Sequence, residues 1–283
     1  LEEFMGLPPA DLADRLQRLP VDQARHYLQE LPVEAASAAA EEPILASFLN
    51  AAILRHDKFA HALAYRIASK MADAQLDSML ARDVAEEAIE GDPQIVAQAA
   101  ADMIAVDERD PACLSLLQPF LYFKGYHALQ AHRIAHWLWK QGRQTLAFHL
   151  QSRVGERFGL DIHPAARIGS GVMFDHAPSV VIGETAVVGD DCSILHEVTL
   201  GGTGAAHEDR HPKIGKGVLI GAGARVLGNI AVGDGARIAA GSVVLEPVPA
   251  GCTVAGVPAR IVGKCACKEP AKSMDQSLPQ GSG

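Results

Sequence analysis

Long apolar runs are absent: no stretch of about eighteen apolar residues occurs, the length a membrane-crossing helix needs, and no such helix is expected. The amino terminus, Leu1-Glu2-Glu3, lacks the basic region of a signal peptide, so a cytoplasmic location is expected. Basic charge is scarce. Lys and Arg number 25 against 34 Asp and Glu, a net charge of −9 without long runs of one sign, whereas a nucleic-acid surface requires a basic stripe. A local basic pocket for a small anion stays compatible with this balance. The five cysteines are odd in number and scattered. Cys265 and Cys267 form a C-x-C with no second pair, and a zinc site needs about four ligands, so no metal is expected.

What is present is a ruler. From Ile162 an aliphatic or aromatic residue returns every sixth position: Ile162, Ile168, Phe174; then Ile182, Val188, Ile194, Leu200; then Ile214, Ile220, Val226, Val232, Ile238 and Val244. Helices repeat at 3.6 residues and strands at 2, so a period of six fits strands with regular corners, the signature of a solenoid. Small or β-branched residues recur four places after the aliphatic, and Cys192 falls in such a slot as a packed thiol. The ruler breaks twice. Phe174 to Ile182 is eight residues and Leu200 to Ile214 is fourteen, which pushes out a loop around Thr203 to His211. Excursions from a rigid solenoid are where sites tend to be built.

Before the ruler the chain reads as helical. Residues 41–159 are alanine-rich, with apolar spacing of three and four at Ile44, Phe48, Ala51 and Ala52, and again at Leu129, Ile134, Trp137 and Leu138. Asp92-Pro93 and Asp110-Pro111 each read as an N-cap followed by proline at the first helical position. Residues 1–40 form an atypical leader in which Leu16-Gln17-Arg18-Leu19-Pro20-Val21 is echoed by Leu28-Gln29-Glu30-Leu31-Pro32-Val33, predicting short helices broken before each proline. Residues 160–263 carry the solenoid. A last extended segment, Thr253 to Val262, is expected to close it, and the polar tail 264–283 is expected to be unstructured.

Several runs carry a resemblance: Asp161-Ile162-His163-Pro164, Phe174-Asp175-His176-Ala177, Gly183-Glu184-Thr185-Ala186, Thr199-Leu200-Gly201-Gly202-Thr203-Gly204, Asp209-Arg210-His211-Pro212 and Ala255-Gly256-Val257-Pro258-Ala259-Arg260. In order and spacing, from about Glu41 to Lys264, the chain resembles serine O-acetyltransferase, a hexapeptide-repeat acyltransferase. The resemblance implies an α+β fold: an N-terminal all-α domain followed by a C-terminal left-handed parallel β-helix. It implies acetyl transfer from acetyl-CoA, as co-substrate rather than resident cofactor, to L-serine. L-cysteine is the implied inhibitor and a trimer or dimer of trimers the implied assembly. Family members that dock on O-acetylserine sulfhydrylase use a C-terminal isoleucine; with the ending Gly281-Ser282-Gly283, that docking is not expected.

The chemistry also follows from the residues. An alcohol is a poor nucleophile at neutral pH, so acyl transfer needs a base near pKa 7, for which histidine is suited. His176 stands in the first break. Asp161 resembles the family's carboxylate that steadies the imidazole. By the same resemblance Asp175 and Asp110 receive the serine ammonium, Arg210 forks its carboxylate, His211 lines the pocket, and Glu184 is an acid beside it. Gly202, Thr203, Ala222 and Ala240 would let the pantetheine arm of coenzyme A lie along the wall. Three alternatives differ. A hexapeptide acetyltransferase for another hydroxyl or amine has no use for Asp110, Asp175 and Arg210 together. A carbonic anhydrase on the same scaffold needs three converging histidines, and only His207 and His211 stand near one another in the loop. A non-catalytic assembly protein has no use for His176.

Overall fold

The computed structural model describes residues 21–204, 208–264 and 269–277. The first twenty leader residues, His207, and the Cys265 and Cys267 pair lie outside them. Helices α1 (Val21–Glu41), α2 (Ala46–Leu49), α3 (Phe59–Met71), α4 (Ser78–Gly91), α5 (Gln94–Arg109), α6 (Leu117–Leu121), α7 (Lys124–Lys140) and α8 (Gln144–Phe158) precede the strands. These are β1 (Asp161–Ile162), β2 (Arg167–Ile168), β3 (Met173–Phe174), β4 (Val181–Ile182), β5 (Val187–Val188), β6 (Ser193–Ile194), β7 (Thr199–Gly201), β8 (Lys213–Ile214), β9 (Leu219–Ile220), β10 (Arg225–Leu227), β11 (Ala231–Val232), β12 (Arg237–Ile238), β13 (Val243–Val244), β14 (Cys252–Gly256) and β15 (Ala259–Lys264).

Where the sequence predicts a break before Pro32, α1 continues through it. A proline inside a helix costs about 3 kcal/mol, and the buried face of Leu28, Leu31 and Ala35 offsets that cost by packing on the rest of the helical layer. Ile44 stands outside that layer, 87% exposed in a 3-10 turn that interrupts the apolar spacing. Helix α4 starts where Asp77 accepts hydrogen bonds from the Met79 and Leu80 N–H groups. Helix α8 stops at Gly159, whose φ of 74° is a left-handed cap that redirects the chain into β1.

The strands form three parallel faces, β1-β4-β7-β10-β13, β2-β5-β8-β11 and β3-β6-β9-β12-β14, wound as a β-helix. Paired residues are 18 apart in sequence where the hexad is unbroken, as in Val181↔Thr199 and Arg225↔Val243. The spacing becomes 20 across the first break, Arg167↔Val187, and 26 across the second, Val187↔Lys213. Both insertions are therefore extruded without disturbing the ladder. The ruler residues Ile182, Leu200 and Val226 stack inward, almost fully buried, and burial pushes the inward Cys192 thiol up to about 12. Instead of one closing strand, β14 (Cys252–Gly256) turns back antiparallel on β15 (Ala259–Lys264), covering the open edge of its sheet. The tail also departs from expectation: Pro270–Ser273 form a short helix, α9, and Ser193 Oγ donates to Ala271 O at 2.7 Å.

Helices and β-helix meet at a buried ion pair. Arg133 of α7 and Asp102 of α5 lie 2.6 Å apart with side chains 4% and 1% exposed. Asp102 Oδ2 also accepts from Gln130, and its Oδ1 accepts from Val172 N at 2.9 Å. Arg133 donates onward to Ile168 O and Gly169 O. Burial raises the Asp102 carboxyl above its ordinary range, and the guanidinium pulls the other way. Removing one partner of such a pair strands the other. Asp102→Ala is expected to cost about 3–5 kcal/mol, read as a lower urea midpoint at unchanged slope, and Asp102→Leu with Arg133→Met should recover only part, because the Val172 N–H and the two carbonyls stay unmatched.

His127, 1% exposed on α7, hydrogen-bonds Phe120 O at 2.8 Å, and burial lowers its pKa to about 3. The native state thus holds it neutral while the unfolded chain takes up a proton below about pH 6.5. Its contribution is complete above that pH and is lost as pH falls toward 3. His127→Gln keeps a donor without the titration, so its stability between pH 6 and 4 should fall less steeply, by about 1.4 kcal/mol per pH unit.

Candidate functional site

The first break follows β3 (Met173–Phe174). His176, Ala177 and Ser179 take φ of 57°, 74° and 62°, a left-handed run of residues other than glycine. Each such residue costs on the order of 1–3 kcal/mol, and the turn is held by Ala177 N donating to Asp175 O and Ser179 N donating to Gly159 O, both at 2.6 Å. Its outcome is to bury Ala177 completely and turn the His176 side chain out, 75% exposed. Helix α7 lies against this rung at Gly125, where a Cβ would meet Phe174 O at 2.2 Å. Between them opens a cleft of about 450 Å³, lined by Asp110, Phe123, Tyr126, Asp175 and His176 among others.

Two carboxylates share this cleft. Burial raises Asp175 above the usual carboxylate range; the neighbouring His176 pulls it down and Asp110 pushes it up. Asp110 is not the N-cap that its sequence context predicts. It ends α5, and its carboxylate accepts from Ala112 N at 2.8 Å in an Asx turn, because the chain makes a single turn there instead of a helix. The His176 Nε2 stands 3.9 Å from Asp175 Oδ1, beyond a hydrogen bond. Asp161 opens β1, and its Oδ1 accepts from Gln151 Nε2 at 2.6 Å; no described contact joins it to His176.

The second break brings a different group together. Glu184 Oε2 and Arg210 Nη2 pair at 2.6 Å, and that bond lowers the Glu184 pKa. His211 is 7% exposed, and its Nδ1 accepts from Thr185 N at 3.1 Å, which leaves the ring proton on Nε2. Burial first and then Arg210 lower its pKa, favouring the neutral ring. Thr185 is the hub that sequence reading missed. Its Oγ1 accepts from Arg210 N at 3.0 Å and His211 N at 3.1 Å, tying the end of the extruded loop to the rung below. Gly183 makes room, since a Cβ there would lie 2.0 Å from His211 Nε2.

Register sorts these residues into two columns. Phe174, Ile194, Ile220 and Ile238 pair in succession, so His176, His196, Ala222 and Ala240, each two residues later, climb one corner. Ala222 is half-buried and Ala240 exposed. His196 was also missed, although its place two residues past a ruler position matches that of His176. The other corner carries Glu184, Gly202, Thr203, Arg210 and His211. Thr203 is exposed there, its methyl 3.3 Å from where a Gly228 Cβ would stand. The first turn enters β4 and the extruded loop leaves β7, adjacent parallel strands, so the columns lie at opposite ends of one sheet face. Within one chain the two groups do not meet. Among the described residues no cluster of histidine, cysteine and carboxylate side chains has the arrangement of a metal site.

A family model described as serine acetyltransferase, N-terminal, matches residues 28–131, and the bacterial transferase hexapeptide model of six repeats matches 211–246. A curated serine acetyltransferase of Salmonella typhimurium is 53% identical over 258 residues, spanning 91% of this chain and 94% of its own. The chain belongs to the serine acetyltransferase family. A solved serine acetyltransferase in complex with cysteine is 49% identical with a TM-score of 0.89, covering 90% of this chain and 100% of that one. That of Brucella abortus in complex with coenzyme A is 50% identical with a TM-score of 0.85, covering 88% and 99%. The family match begins at residue 28, inside the segment whose sequence reads as atypical. The paired Leu-Pro-Val echo masks there a helix whose buried leucines belong to the helical layer.

Thr185→Val removes the acceptor for two loop N–H groups at nearly constant volume. It should lower stability by about 1–3 kcal/mol and speed proteolysis between residues 203 and 211, both measurable without any substrate.

Proposed function

We infer that this chain transfers the acetyl group of acetyl-CoA to the hydroxyl of L-serine, giving O-acetyl-L-serine on the way to cysteine, and that it acts in the cytoplasm. The observation that carries the reading is the exposed imidazole of His176, turned out of its rung beside two carboxylates, Asp110 and Asp175, that face one cleft. In this reading those carboxylates receive the serine ammonium. His176 takes the hydroxyl proton as the serine oxygen bonds to the thioester carbonyl carbon. The carbon–sulfur bond then breaks, and the leaving thiolate takes the proton back from the imidazolium. Asp161 steadies that imidazolium, its carboxylate exchanging Gln151 for the ring in the working assembly.

Arg210, His211 and Glu184 complete the pocket from a neighbouring copy. Their separation from His176 along one sheet face supports this, since three flat-sided prisms about one axis set one corner of each against the next, and closed cyclic assembly is the common rule. Two such trimers pair through their helical layers. The small residues Ala222 and Ala240, with Gly202 and Thr203 across the seam, leave room for the pantetheine arm. L-Cysteine shares the ammonium and carboxylate of serine and competes for the same groups.

The test is thiol release from acetyl-CoA with serine against sugars and other alcohols and amines, on purified full-length chain. Serine-dependent release, competitive inhibition by cysteine and a loss of several orders of magnitude in His176→Ala are expected; release with another acceptor alone overturns the substrate. Subunit mixing tests the shared site. His176→Ala and Arg210→Ala, each inactive, should recover about a quarter of the activity when refolded together in equal amounts, and no recovery places the whole site in one chain.

A further inference from the structure

One imidazole beside the proposed base has no part in that reading. The register of Phe174 with Ile194 puts His196 on the step next to His176, and their ring centroids lie 5.8 Å apart with the planes at 75°. Little else holds the His176 ring. It is largely exposed, and its near carboxylate stands too far for a hydrogen bond. Nor is the His196 ring fully matched in the free chain. Its Nδ1 is buried without a hydrogen-bond partner among the described residues, and an unmatched buried nitrogen is costly. Its main chain, in contrast, is anchored, since Gly223 N donates to His196 O at 3.0 Å on the following rung.

Resting on the acetyltransferase reading, we propose that His196 is a positioning residue whose ring holds the His176 imidazole edge-to-face and aims it at the cleft. The backbone of His176 is already committed to a φ of 57°, so only its side-chain torsions remain to be chosen. An exposed side chain spreads over its rotamers, whereas a general base acts only from the orientation that reaches the proton. Aromatic rings favour the edge-to-face arrangement seen here. Because the ladder anchors His196, the preference is transmitted to the freer ring. The effect falls on turnover rather than on binding, as serine is held by other groups.

Steady-state kinetics on the full-length chain separate these roles. His196→Ala should lower kcat roughly tenfold, with KM for serine and acetyl-CoA changed less than about twofold. His196→Phe, which keeps a ring and removes the nitrogens, should recover most of the loss. An unchanged kcat in His196→Ala, or a loss carried by KM alone, overturns the proposal. NMR of the His176 ring C–H signal, identified by its disappearance in His176→Asn, reads the contact without turnover. His196→Ala should remove the ring-current displacement and His196→Phe retain one; an unmoved signal in His196→Ala overturns the contact. Parent protein that displays this displacement yet releases no thiol with serine supports the contact while overturning the activity.

Discussion

Parallel pairing in strict register is the constraint on which the rest depends. Once Val181 pairs with Thr199 and Arg225 with Val243, every corner position has a fixed neighbour on the rungs beside it. A two-residue insertion then has nowhere to go but outward. The left-handed backbone of His176, Ala177 and Ser179 is a consequence of that geometry, and its energetic cost is carried by the ladder on either side. Loop-closure entropy rises slowly with length, so the longer insertion before Arg210 is tolerated on the same terms. Thr185 and the buried His211 ring then hold its returning end.

The helical layer completes the cleft because it is bound to the β-helix by charge as well as by packing. Arg133 bridges Asp102 to the carbonyls of Ile168 and Gly169. At the end of α5, the helix of Asp102, Arg109 donates to Cys192 O and Ser193 Oγ, each at 3.2 Å. The next residue is Asp110. Its place opposite Asp175 is therefore set by buried guanidinium contacts to β-helix main chain, which water does not screen as it would a surface pair. The C-terminal helix α9 joins the same network through Ser193 and Ala271.

Much of this was legible in the residue order. A six-residue period has one reading as strands, and the two breaks in it are visible as arithmetic. His176, Asp175, Arg210 and His211 stand out because they fall in those breaks, while the roles given to Asp175, Arg210 and His211 come from the family resemblance. Thr185 and His196 do not stand out, since each sits in a regular corner where the period alone makes it look like a solvated turn. Only the cross-rung neighbour reveals what they touch. Asp110-Pro111 is compatible with a helix start; the chain after Pro111 makes a turn instead, and local propensity does not distinguish the two.

The sequence by itself determined the β-helix, the position of its two excursions, the helical character of the amino-terminal half and the residue types available for acyl transfer, because period and composition are local properties. Tertiary structure alone decided that α1 runs through Pro32, that the tail docks at Ser193, and that Asp161 bonds Gln151 rather than His176. It also decided that the candidate groups stand in two columns at opposite ends of one face. Those outcomes depend on which rung or helix lies next to which, a relation between residues about ten to eighty positions apart that no local pattern encodes.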